Sequence, residues 1–168
     1  MDAFSREDLA LYVTNRCNFL CRHCLRERQS ADDIPLDLLE TALTEARRLG
    51  FRMAAITGGE PCLHPHFDEL LALLEALDFR FNFVTNGYLY ERYLPAIDRY
   101  RHRLVNIGIS IDGAYRRTHD KMRRNGSWDR ACEAVRCFRA RQIPVVVNTL
   151  VAGPNIDELE EVIRLVQE

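Results

Sequence analysis

Short apolar, β-branched runs alternate along this chain with longer stretches in which apolar residues recur at helical spacing. The first run, Leu9 to Thr14, predicts a strand and leads into a polar loop that carries cysteines. Leu39, Ala42, Leu43, Ala46 and Leu49 mark one face of a helix, with Gly50 placed to end it. Met53–Thr57 predicts a second strand ending at Gly58-Gly59, and Leu70, Leu71, Leu74 and Leu77 form the stripe of the next helix. A third strand over Phe81–Thr85 runs into the turn signal Asn86-Gly87. A helix from Tyr90 to Tyr100 follows, then a fourth strand over Leu104–Ile111, stopped by Asp112-Gly113. Beyond a basic loop, Trp128, Ala131, Val135 and Phe138 mark the fourth helix. Pro144–Val151 is the fifth strand, and Leu159, Val162, Ile163 and Val166 belong to the fifth helix.

Strict alternation of strand and helix predicts an α/β domain with a parallel sheet and helices packed outside it. Right-handed crossovers then bring the C-terminal ends of all strands to one side. Two architectures satisfy this pattern, a doubly wound open sheet and a barrel or partial barrel. Each of the five strands ends in polar residues or glycine: Asn15-Arg16-Cys17, Gly58-Gly59-Glu60, Thr85-Asn86-Gly87, Ser110-Asp112-Gly113 and Asn148-Thr149. Barrels gather a site from many strand ends, whereas open sheets concentrate it at one switch point, so a partial parallel (β/α) barrel is expected. Five βα units are present and a sixth is missing. One domain over 1–168 is expected. Its last helix runs to Glu168 with no capping glycine, as in a piece of a longer chain.

Composition narrows the function classes. At 47% hydrophobic and 29% charged residues, the 168-residue chain has an ordinary globular make-up. A net charge of −2 argues against a dominant nucleic-acid footprint, and no apolar run reaches the ~20 residues needed to span a bilayer. MDAFSREDLA lacks the basic and apolar regions of an export signal, so the cytoplasm is the expected compartment. Six cysteines in such a chain suit reduced thiols, and three of them fall within eight residues.

Those three form Cys17-x3-Cys21-x2-Cys24 in the loop after the first strand. Thiolates so close repel one another and favour a shared cation. A loop can wrap them round one corner of an iron–sulfur cubane, supplying three of its four irons. The absent fourth cysteine leaves one iron open for a substrate to coordinate. Two competing readings are a zinc site completed by His23 and a cluster used only for electron transfer. The first strains the loop because His23 adjoins Cys24, and the second normally has four protein ligands.

The C-x3-C-x2-C loop after a first strand, followed by Gly58-Gly59-Glu60-Pro61 at the end of a second, resembles the radical S-adenosylmethionine (SAM) superfamily. The likeness covers the chain from first strand to last helix. It implies a partial (β/α)6 barrel holding a [4Fe–4S] cluster on Cys17, Cys21 and Cys24. SAM would chelate the open iron through its amino and carboxylate groups and be cleaved reductively to a 5′-deoxyadenosyl radical that abstracts hydrogen from a substrate. A [4Fe–4S] cluster and SAM are the implied cofactors. An electron donor such as flavodoxin or ferredoxin and a peptide or small-molecule substrate are the implied partners, with no membrane or nucleic acid. The pattern Ile111-Asp112-Gly113 with His119-Asp120 is similar to the peptide- and cofactor-maturing (SPASM/twitch-type) members. The rival from another class is a non-catalytic cluster- or SAM-binding module or scaffold.

By the same resemblance, Gly58-Gly59-Glu60 contacts the amino group of SAM, with Glu60 as an acceptor for the ammonium. His23, where relatives often carry an aromatic residue, packs near the adenine. Ser110 and Asn148 match positions that touch the ribose or carboxylate, and Arg123 is the choice for the carboxylate. Each has a plainer alternative. Polar residues often end strands, Asp112-Gly113 makes a turn, and Arg116 to Arg124 forms a solvated basic face. Asn18 is expected to shape its own loop, Cys62 to be a buried structural thiol, and His64 and His66 to be helix-entry residues.

Overall fold

The computed structural model describes residues 8–25 and 30–167. Residues 1–7, on which the reading of no export signal rests, lie outside the described residues. Among the described residues five strands, β1 (Asp8–Tyr12), β2 (Met53–Thr57), β3 (Arg80–Thr85), β4 (Leu104–Ser110) and β5 (Val145–Asn148), form one parallel sheet in the order β1-β2-β3-β4-β5. A doubly wound sheet must reverse its strand order at a switch point. This sheet never does, so its crossovers all wind the same way and the architecture is that of a partial parallel (β/α) barrel.

Register explains which side is covered. Leu11, Ile56, Phe83 and Ile107 lie in one row across the sheet and are almost wholly buried. Helices α1 (Leu36–Arg48), α2 (Phe67–Ala76), α3 (Tyr90–Tyr100) and α5 (Ser127–Ala140) contribute Leu39, Leu43, Leu70, Leu74, Ile97 and Phe138 to the same core. Phe67, Phe83 and Tyr93 meet edge to face at 5.7–6.3 Å, which adds directionality to apolar burial. The opposite face alternates with the first along each strand and presents Tyr12, Val84 and Val146, all substantially exposed.

The strands differ from expectation at their ends. β5 stops at Asn148 because the next residues leave the ladder for other partners: the Thr149 hydroxyl donates to the Ile111 carbonyl, and Leu150 N–H donates to the Asp112 carboxylate. The basic stretch expected to be a surface loop is a helix over most of its length, α4 (Arg116–Met122). Thr118, His119 and Met122 form its buried stripe, while its arginines and lysine face out. Asp120 ends the segment by accepting from Gly126 N–H, Trp128 N–H and the Ser127 hydroxyl at the start of α5. Helix α6 (Leu159–Gln167) closes the described chain, and among the described residues no helix is long and apolar enough to cross a membrane.

Candidate cluster and cofactor site

The cysteine loop is tied off at its base. Thr14 bridges Asp33, Asn15 N–H donates to the Asp32 carbonyl, and Ile34 N–H donates to the Val13 carbonyl. Arg16 grips the Asp33 carboxylate at 2.8 Å, and the Thr14 hydroxyl donates to it at 2.6 Å. Between these ends the loop is docked through Phe19, which is buried edge-on to Tyr88 and lies under the Arg124 guanidinium. Asn18 does not shape the loop locally, as expected, but reaches across the sheet. Its side-chain oxygen accepts from the Asn86 amide at 2.7 Å, and its carbonyl accepts from Arg124 at 2.9 Å. Arg22 N–H donates to the Met122 carbonyl at the end of α4.

Cys17, Cys21 and Cys24 ring one cavity of about 480 Å³ together with His23, Gly58, Gly59, Asn86 and Arg123. The Cys21 thiol is pushed up, chiefly by burial, and the neighbouring Cys17 and Cys24 push the same way while Arg123 opposes them. Among the described residues no three His, Cys, Asp or Glu side chains are grouped around a single ion position.

Gly58 is fixed by contact: a β-carbon there would lie 2.6 Å from the Thr14 carbonyl oxygen. That oxygen already accepts from Gly59 N–H at 2.7 Å, so the main chain after β2 lies directly on the root of the cysteine loop. Glu60 departs from its expected orientation. Its side chain is turned away from the cavity and is 2% exposed, accepting from the Thr85 hydroxyl at 2.7 Å and Asn86 N–H at 2.8 Å. Burial raises its carboxyl above the usual range despite those donors. The main chain of Gly58-Gly59, not the Glu60 carboxylate, therefore meets the cavity. Cys62 is buried behind it with its thiol pushed well up by burial and by Glu60, as a structural thiol would be.

The exit of β4 supplies Asp112, the first residue of the Asp112-Gly113 turn signal. Asp112 is completely buried and accepts from Arg123 Nε at 2.5 Å and from Leu150 N–H at 2.9 Å. His23 Nε2 lies 3.6 Å from the same carboxylate. Ser110 and Asn148 are register partners on the open face, and Gly108 leaves room for the Asn148 amide. Neither lines the cluster cavity among the described residues.

His119 is wholly buried, and its Nδ1 accepts from Asp112 N–H at 3.0 Å. Burial, assisted by Arg123, lowers its pKa from 6.5 to about 4. Between those values the unfolded chain takes up a proton that the folded chain refuses. Stability should therefore fall as pH drops from 6.5 toward 4, by about 3 kcal/mol, and level off below. Urea unfolding at about pH 7 and about pH 5 checks this, and His119→Asn should remove that part of the pH dependence.

A cubane cluster and SAM fit this donor set. Three soft thiols share one cavity, and their mutual repulsion is relieved when cationic iron is shared among them. Two glycines bring main chain to the wall, and Arg123 is the one guanidinium among the described lining residues. A family model of the radical SAM superfamily matches residues 11–166. The chain belongs to the radical SAM superfamily. Its members use a [4Fe–4S] cluster and SAM.

Among named relatives, a GTP 3′,8-cyclase of Chlorobaculum tepidum is 31% identical over 99% of this chain and 52% of that enzyme. An AdoMet-dependent heme synthase of Methanosarcina barkeri is 27% identical over 95% of this chain and 47% of that enzyme. The chain thus spans about half the length of the curated relatives it matches. In fold it is similar to SuiB of Streptococcus suis bound to its precursor peptide SuiA, with a TM-score of 0.84 and 18% identity over 97% of this chain and 37% of SuiB.

Proposed function

We propose that this chain is the SAM-cleaving core of a radical enzyme. The observation that carries the reading is the convergence of Cys17, Cys21, Cys24, the Gly58-Gly59 main chain and Arg123 on one cavity. When bound, the cluster and SAM together supply the electron and the carbon-centred radical that takes hydrogen from a substrate. Cys17, Cys21 and Cys24 would hold the cluster through their thiolates. Gly58 and Gly59 offer carbonyl groups to an ammonium, and the Arg123 guanidinium offers paired N–H donors to a carboxylate. His23 gives the adenine a flat polar neighbour. Ser110 and Asn148, register partners at the ends of β4 and β5, suit the ribose hydroxyls. Tyr12 and Leu150 add apolar surface to the same cavity.

For the substrate, a peptide or cofactor precursor is the reading supported by the names of the relatives and by the peptide-bound SuiB structure. A one-electron carrier of the flavodoxin or ferredoxin class is the proposed donor. Anaerobic reconstitution tests the core reading, with about four irons and four sulfides expected per chain. Addition of dithionite and SAM should then release 5′-deoxyadenosine and methionine. One bound zinc without sulfide would overturn the reading. A loaded, reduced cluster that leaves SAM intact would make the chain a binding module instead.

A further inference from the structure

We infer that Asp112 is a positioning residue that aims Arg123 at the carboxylate of SAM and fixes it to the ends of β4 and β5. The inference rests on the proposed SAM-binding function and adds to it a residue that does not itself line the cavity.

A completely buried carboxylate is costly unless its oxygens are satisfied, and those of Asp112 are satisfied from two separate segments. One oxygen takes Leu150 N–H beyond β5, and the other takes Nε of Arg123 just past α4. The main chain of Asp112 is held as well: its N–H donates to His119 Nδ1, and its carbonyl accepts from the Asn155 amide at 2.8 Å. Gly113 then lets α4 pack directly on this turn, since a β-carbon there would lie 2.8 Å from His119 N. The carboxylate cannot drift, so neither can the group it grips.

The way Arg123 is gripped matters more than the grip alone. A guanidinium carries five N–H donors in a rigid plane. Asp112 engages Nε, and among the described residues neither terminal nitrogen of Arg123 has a hydrogen-bond partner. Arg123 lines the cavity with Cys17, Cys21, Gly58 and Gly59, and its side chain is 12% exposed. The arrangement leaves the two-pronged end of the fork for a second carboxylate, the geometry in which arginine binds carboxylates best. A salt bridge serving stability alone would gain little from burial on one side and an open fork on the other.

The test uses the reconstituted chain and compares wild type with Asp112→Asn, which keeps the shape and removes the charge. Iron and sulfide content should stay the same, as should the electron paramagnetic resonance spectrum of the reduced cluster without SAM. Affinity for SAM should weaken about 10- to 100-fold, the usual range for supporting residues, and the spectral change on adding SAM should need correspondingly more ligand. In an Arg123→Ala background, Asp112→Asn should weaken SAM binding no further, because the group it positions is gone. A further loss there would reveal a general structural role and overturn the inference, as would unchanged affinity in the single variant. Should Asp112→Asn not fold, Arg123→Lys carries the test. It keeps the charge for Asp112 but loses the fork, so SAM affinity should drop while thermal stability holds; undiminished affinity would overturn the inference. Wild-type protein that takes up no cluster, or loads it and ignores SAM, would instead count against the proposed function.

Discussion

Cys24→Ala should leave a folded chain that can no longer hold a complete cluster, with no 5′-deoxyadenosine formed from SAM. Cys24 is exposed, and its only described hydrogen bond is a main-chain one, Cys24 N–H to the Cys21 carbonyl at 3.1 Å. Removing its thiol therefore disturbs no packing, and the melting temperature of the apo chain should stay close to that of wild type. Site function should respond very differently. Two remaining thiolates cannot anchor three corners of a cubane, so iron and sulfide per chain should fall well below the about four each expected of the wild type. Iron and sulfide assays, visible absorption and chromatography of the SAM reaction together check this. An undiminished cluster in the variant would remove Cys24 from the ligand set.

Gly58→Ala should act on both stability and cofactor binding, and more strongly than its single added methyl suggests. The methyl would sit 2.6 Å from the Thr14 carbonyl oxygen, a main-chain atom with no rotamer through which to escape. Gly58 also has a φ of 151°, a conformation L side chains rarely adopt. Relief requires β2 and the cysteine loop to separate, which breaks the bond from Gly59 N–H to that same oxygen. The cost should be about 3 kcal/mol or more, or roughly 10 °C in melting temperature for a chain of this size. Since Gly58 and Gly59 also line the cavity, SAM affinity should fall in whatever fraction still folds and loads its cluster. Thermal melts and SAM titration distinguish the two effects. A variant as stable as wild type would show that this contact is looser than its geometry implies.

Much of this protein is written locally in its sequence. The second strand and the third helix have the predicted bounds, Met53–Thr57 and Tyr90–Tyr100, because each has a clear period and a clear stop signal. The triad at Cys17, Cys21 and Cys24, and the glycines after β2, are readable because a shared cavity wall and close main-chain contacts impose short, regular spacing. Even α4 carried a helical stripe in Thr118, His119 and Met122, but the surrounding basic residues hid it. What folding alone decided is the direction and company of side chains. Glu60 lies beside two cavity-lining glycines in sequence, yet it turns inward because Thr85 and Asn86, far along the chain, offer it buried donors. Asn18 pairs with Asn86 across 68 residues, and Asp112 passes from turn residue to anchor only when Arg123, His119 and Leu150 meet around it. Periodicity and spacing report what a residue's neighbours in the chain require. A buried carboxylate's role is set by which donors the fold brings within about 3 Å of it, and no local pattern encodes that meeting.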